Sequence, residues 1–250
     1  MARYPKQDDP DGEVVVPSVT EIISDCTNKG GGLTQWAANC CVDWIRENCP
    51  KPPRDNYLSG EVLYDDYCVS EEDLNEARFA YKKVSDKALD VGSEVHNAIE
   101  MHLQDKPFNL TTKQAENAFQ AFCKWELDVA LKPFELEKTV WGSRWAGTCD
   151  FIGLYDDKLF VIDWKSSKAF YPEMRYQVAA YRDAIQTELS RESTLTFIDG
   201  CGILRLDKET GIPHFKDTSK TYEQDLKVFN AMVDLYFERH PIIAKRLRGE

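Results

Sequence analysis

Two short runs, Asp150-Phe151-Ile152-Gly153-Leu154-Tyr155 and Lys158-Leu159-Phe160-Val161-Ile162-Asp163-Trp164-Lys165, flank the pair Asp156-Asp157. Both are rich in β-branched and aromatic residues, so they read as strands joined by a two-residue turn. The turn sets the register. Tyr155 faces Lys158 and, counting outward, Asp150 faces Asp163. β-Carbons so opposed lie roughly 4.5–5.5 Å apart, where two carboxylates repel. A divalent cation between them is the natural relief, and Mg²⁺ takes a couple of carboxylates with water and phosphate oxygens. Lys165, two residues beyond Asp163, shares its strand face. Its ammonium can orient a water or stabilise charge on a phosphate. Taken alone, Asp-x-Lys also suits a surface hairpin with a neighbouring charge pair.

The rest of the chain divides at Pro133. Before it, helical patterns dominate. Ser18-Val19-Thr20-Glu21 reads as a capping box opening a helix. Gly30-Gly31-Gly32 breaks that helix, and 33–48 has helical spacing. The stretch 50–69, with three prolines, reads as a loop. Ser70 caps a helix to about Val84, a second covers roughly 86–104, and Thr111 or Thr112 starts another to about Leu131. After Pro133 the period changes. Residues 134–166 read as three strands, 172–190 as a helix with Pro172 in its first turn, 195–206 and 212–216 as strands, and 221–238 as a helix ended by Pro241. The expected class is α/β, a mixed sheet flanked by helices. We expect a leader over 1–16, a helical lobe over 17–132 that includes the His96 helix, and a core over 133–250, together one compact unit.

Further chemistry-bearing residues lie on these elements. His96 and Glu100 are four apart on one helix face. Glu137 offers another carboxylate in the strand before the hairpin. Gln177 and Tyr181 are also four apart, on the helix after Lys165. Gln can bond a phosphate or base edge, and Tyr can stack on a base or donate to phosphate; Tyr181 also suits a place half-buried against the sheet. Arg175 and Arg182 offer phosphate contacts, as do Lys82, Lys83, Lys87, Lys245, Arg246 and Arg248.

The formal net charge of −12 argues against tight, non-specific coating of DNA. It leaves room for a local basic groove. The eight cysteines include no Cys-x-x-Cys pair, so zinc-ribbon spacing is absent. Cys26, Cys40, Cys41 and Cys49 could hold a metal or simply pack as small apolar groups. No run approaches the about 18 apolar residues of a membrane helix, and residues 1–9 lack an apolar signal region. A cytoplasmic or other reducing intracellular compartment is expected, with no membrane partner.

Together His96, Gly147-x-x-Asp150, Asp163-x-Lys165 and Gln177-x-x-x-Tyr181 resemble the motifs of the PD-(D/E)XK nuclease superfamily, and within it the RecB-like branch. Pro17-Ser18-Val19-Thr20 and Leu33-x-x-Trp36-Ala37 further resemble the mitochondrial genome maintenance and related phage or viral exonucleases. The likeness runs over 17–181. It implies a restriction-endonuclease-like core with a helical N-terminal lobe. It also implies that His96, Asp150, Asp163 and the Trp164 backbone carbonyl bind Mg²⁺ or Mn²⁺. Lys165 would assist the attacking water, with Glu100, Glu137, Gln177 and Tyr181 supporting the site and Arg175, Tyr181 and Arg182 meeting DNA. Iron–sulfur members carry a cysteine cluster after the Gln-x-x-x-Tyr helix; here only Cys201 follows it, so no such cluster is expected.

The function implied is hydrolysis of DNA by metal-activated water, giving a 5′-phosphate, by an exonuclease or end-processing enzyme acting on single strands or duplex ends. A structure-specific endonuclease, an enzyme of other phosphate esters, and an inactive nuclease-derived DNA-binding module are the alternatives.

Overall fold

In a computed structural model of the chain, the residues described are 3–5, 15–27, 30–49, 69–192 and 196–249. They divide into two units, Met1–Asn28 with Val91–Glu250, and Lys29–Asp90.

The larger unit is built on a five-stranded mixed sheet. β3 (Leu131–Trp141), β4 (Ala146–Tyr155), β5 (Lys158–Lys165), β6 (Gly200–Leu206) and β7 (Pro213–Asp217) lie in that order. All neighbours are antiparallel except β5 and β6, which run parallel. The parallel pair needs a crossover, which α6 (Pro172–Arg191) supplies. Pro133 sits within β3, an edge strand, where a missing ladder donor is tolerated.

Alternation along the central strands feeds two cores. Leu159 and Val161 face a cluster with Val19 and Ile22 of α1 (Val19–Cys26), Val178 and Ile185 of α6, and Phe229 of α7 (Tyr222–Arg239). Phe160, Ile162 and Trp164 face the other cluster. There they meet Val91, Val95 and Ile99 of α4 (Ala80–Leu103), and Phe122 and Trp125 of α5 (Lys113–Asp128). The sheet is thus covered by helices on both faces, as the sequence leads one to expect for an α/β chain.

Several boundaries differ from expectation. The first helix does open on Ser18, whose hydroxyl accepts from Glu21 N–H at 3.0 Å. The Glu21 carboxylate meanwhile accepts from Tyr236 Oη at 2.7 Å, so it works in tertiary packing. Within the expected leader, β1 (Arg3–Pro5) pairs antiparallel with β2 (Val15–Pro17) as a ribbon. Tyr4 of that ribbon bonds Thr148 of β4 at 2.9 Å. Thr112 caps α5, which ends at Asp128; Leu131 already belongs to β3. Pro241 does not simply end α7. It opens a further short helix, α8 (Pro241–Arg248), and so carries the basic residues Lys245, Arg246 and Arg248 on helical backbone.

The smaller unit contains α2 (Gly30–Asn48), α3 (Glu71–Arg78) and α4 as far as Asp90. The three glycines lie inside the start of α2 and do not form a break. Ser70 and Asp73 form a reciprocal capping box on α3. The interruption then falls at Phe79, and α4 runs through residue 85 without a break. The Pro-containing loop expected over 50–69 lies outside the described residues, except for its last residue.

Candidate functional site

The hairpin turn behaves as its sequence requires. Asp156 and Asp157 both take left-handed backbone, φ 47° and 62°, the conformation of a type I′ turn. The expected register follows for five pairs, from Tyr155↔Lys158 to Phe151↔Ile162. It stops one rung before the two aspartates. Asp150 Oδ2 accepts from the backbone N–H of Trp164 at 2.6 Å. Asp150 is therefore not a ladder partner of Asp163. Beyond that point β5 stays paired with β6, as far as Lys165↔Arg205. The first residues of β4 stay with β3, and Ser18 forms an isolated parallel bridge to Ala146. The two strands part, and the aspartates flank the opening.

A second irregularity lies across β4. Leu136 pairs with Phe151 and Lys138 with Cys149, so Glu137 stands opposite Asp150. On a regular strand residues two apart share a face. Here Phe151 and Leu136 join the α4–α5 core, while Cys149 and Val140 join the α6–α7 core. Both strands change face together at Glu137 and Asp150. Glu137 absorbs the change with φ 47°, a left-handed backbone uncommon for a residue with a side chain.

From α4, His96 reaches this kink. Its Nδ1 lies 3.3 Å from Asp150 Oδ1 and 3.8 Å from Glu137 Oε1. Among the described residues, His96, Glu137 and Asp150 form the one group of His, Cys or acidic side chains whose ligand atoms cluster tightly enough for a metal, all within 4.8 Å. On the other side of the opening, Lys165 Nζ sits 2.5 Å from Asp163 Oδ2, close but not aligned as a hydrogen bond.

Electrostatics follow from burial and these neighbours. Burial opposes the charge on His96, whose side chain is 27% exposed, but Asp150 and Glu137 outweigh it and raise its pKa to about 10. Burial works against Asp150 as well; His96, Lys165 and the Trp164 N–H more than offset it and hold the carboxyl below its usual value. Asp163 is pushed up, chiefly by burial, with Lys165 opposing and Asp150 adding to the rise. Lys165 loses by burial and gains more from Asp163 and Asp150, so it stays charged. His96 and Lys165 thus set positive charge against the carboxylates.

The supporting residues are sorted by their surroundings. Gln177 Nε2 donates to Tyr181 Oη at 2.9 Å, and both side chains are buried. Tyr181 packs over Gly147, where a Cβ would come within 2.6 Å of its ring. That contact explains the glycine three residues before Asp150. The Tyr181 ring is 2% exposed, so it lies in the interior and not at a surface where a base could stack on it. Arg175 pairs with buried Asp225 of α7 at 3.5 Å. Arg182 donates to the Ile198 carbonyl at 2.8 Å and lies over the Tyr222 ring. Both arginines expected on DNA thus have partners within the fold, and the Arg175 side chain remains 30% exposed. Glu100 accepts from Gln104 at 3.0 Å, one turn beyond His96, and is not part of the cluster. Trp164, expected through its carbonyl, meets Asp150 through its N–H. In a strand both groups of one residue point to the same side, so the carbonyl leaves toward the opening too.

Arg205 was not anticipated from sequence. It is buried on β6, with Nη1 3.4 and 3.3 Å from the Ser167 and Lys168 carbonyls and 3.2 Å from Asp207. It holds the segment that follows Lys165. A lone arginine in an apolar strand was the available signal. No cysteine joins a metal-suited group among the described residues, and no described helix is long and apolar enough to cross a membrane.

No protein-family model matches the chain, and a search of curated proteins finds no match either.

Proposed function

We propose that this protein is a divalent-metal-dependent deoxyribonuclease of the RecB-like PD-(D/E)XK type, acting as an exonuclease or end-processing enzyme. One observation carries the reading: His96, Asp150, Asp163 and Lys165, from three elements, converge where β4 and β5 part. The carboxylate oxygens suit Mg²⁺ or Mn²⁺, and an imidazole nitrogen beside them favours the transition metal of the two. A bound cation supplies a Lewis acid for a phosphoryl oxygen and lowers the pKa of the attacking water.

The chain's own groups do the rest. Asp150, fixed by the Trp164 N–H, offers its other oxygen on the His96 side. Asp163 holds Lys165 in place, and the ammonium stabilises negative charge developing on the phosphate. Gln177 and Tyr181 brace the Gly147 end of β4 from within the core. The restriction-endonuclease-like core and the preference for DNA ends rest on the motif resemblance.

The test is digestion of end-labelled single-stranded, duplex and circular DNA with Mg²⁺ or Mn²⁺, beside Asp163→Ala and Lys165→Ala. Wild type is expected to degrade ends and spare circles, and each variant to lose at least about 100-fold in rate. Equal cutting by all three proteins would overturn the site. Ready cutting of circles would make the enzyme an endonuclease. Binding without any cutting would make it a nuclease-derived binding module.

A further inference from the structure

We propose that Glu137 is a direct ligand of the divalent cation, a role that rests on the metal-dependent reading above and adds a residue to its site. Glu137 lies opposite Asp150 across the β3–β4 ladder, between the pairs Leu136↔Phe151 and Lys138↔Cys149. Two carboxylates so opposed repel unless positive charge lies between them. Here that charge is His96, 3.8 Å from Glu137 and 3.3 Å from Asp150. The three ligand atoms already span no more than 4.8 Å. Donors around a six-coordinate Mg²⁺ lie about 2.0–2.1 Å from the ion, and so about 3 Å apart when adjacent and about 4 Å when opposite. Shifts of a few tenths of an ångström to somewhat under 1 Å bring all three to that spacing.

The neighbours of Glu137 are committed elsewhere. Lys138 turns away to Glu135 at 2.8 Å and Glu188 at 2.7 Å, on the α6 side. The Glu137 side chain is 31% exposed, against 7% for Asp150. A cation held there keeps open positions for water and phosphate, as Mg²⁺ sites do. The left-handed backbone at Glu137 lets β3 change face at this one residue, which is what sets its carboxylate beside Asp150.

The rival role is indirect: Glu137 could merely orient the His96 ring, as a carboxylate often does for a metal-bound imidazole. Counting the waters on the ion separates the two. The probe is Tb³⁺, a hard oxygen-seeking ion, whose luminescence lifetimes in H₂O and D₂O report coordinated water. Saturated wild type is compared with Glu137→Gly and Asp150→Asn, and Mn²⁺ affinity is measured by calorimetry alongside. Glycine suits the positive φ, so this variant keeps the backbone while removing the side chain. Glu137→Gly is expected to gain about one or two coordinated waters and to bind Mn²⁺ at least about tenfold more weakly, because a charged donor leaves the set. Unchanged hydration in Glu137→Gly, with Mn²⁺ still bound by wild type, would overturn the ligand role and leave the nuclease reading standing. Wild type that takes up neither Tb³⁺ nor Mn²⁺ would overturn both.

Discussion

Asp150 Oδ2 accepts a 2.6 Å hydrogen bond from the Trp164 backbone N–H, in the place where the next rung of the β4–β5 ladder would fall. A side chain has replaced a main-chain acceptor. The hairpin therefore opens at the residues proposed to carry the chemistry, and Asp150 is oriented by the strand that brings Asp163 and Lys165.

Removing that acceptor should show in stability. Asp150→Ala leaves a buried N–H unpaired and is expected to cost about 1–3 kcal/mol, read from urea unfolding in EDTA. Asp150→Asn keeps a carbonyl oxygen and should cost less. Equal effects of the two would mean that charge, not the hydrogen bond, sets the contribution of Asp150.

Lys165→Met would leave Asp163, 1% exposed, without its counter-charge. Burial already pushes the Asp163 pKa up, and losing the ammonium raises it further. An acid whose folded pKa lies above its unfolded value binds more protons when folded, so stability falls as pH rises through that interval. The variant should thus be penalised more at pH 8 than at pH 5. Asp163→Asn in the same chain should remove the difference, as followed by thermal melts at both pH values.

For metal-free protein, His96 gives a dependence of the same sign, in a higher pH interval. Its pKa is raised from 6.5 to about 10, against burial, by Asp150 and Glu137. Its contribution is fully present below the unfolded pKa and is lost as pH rises through about 10. Melting temperatures in EDTA between pH 6 and pH 10 should fall more steeply for wild type than for His96→Gln. Cation binding needs the neutral imidazole, so Mn²⁺ should displace about one proton, detected by titration calorimetry in buffers of different ionisation enthalpy.

Gly147→Ala tests the brace behind the site. Its Cβ would lie 2.6 Å from Tyr181 Cε1 and 3.1 Å from Oη. Overpacking of this kind costs about 1–3 kcal/mol. Tyr181→Leu in the same chain should restore part of that loss in a thermal melt, since the ring is what the new methyl meets.

Much of the fold was legible because local rules decide it. The turn at Asp156-Asp157 left one register for the hairpin, and five pairs follow it. Ser18, Ser70 and Thr112 cap the helices they were expected to open. Apolar alternation along 159–164 supplied two faces, each covered by helices. In these cases a few adjacent residues settle the backbone.

What sequence alone determined here is which titratable and polar residues are candidates for a site and the strand or helix on which most of them stand. Tertiary structure decided which of them meet. The Asp150–Asp163 pairing failed because β5 continues along β6 while β4 follows β3, and a hairpin's register carries no information about third strands. Arg175 and Arg182 were claimed by Asp225 and the Ile198 carbonyl, partners about 50 and 16 residues away. Glu137 gained its place by a left-handed φ that no local preference for glutamate favours; only packing of β3 and β4 against two cores at once holds it there.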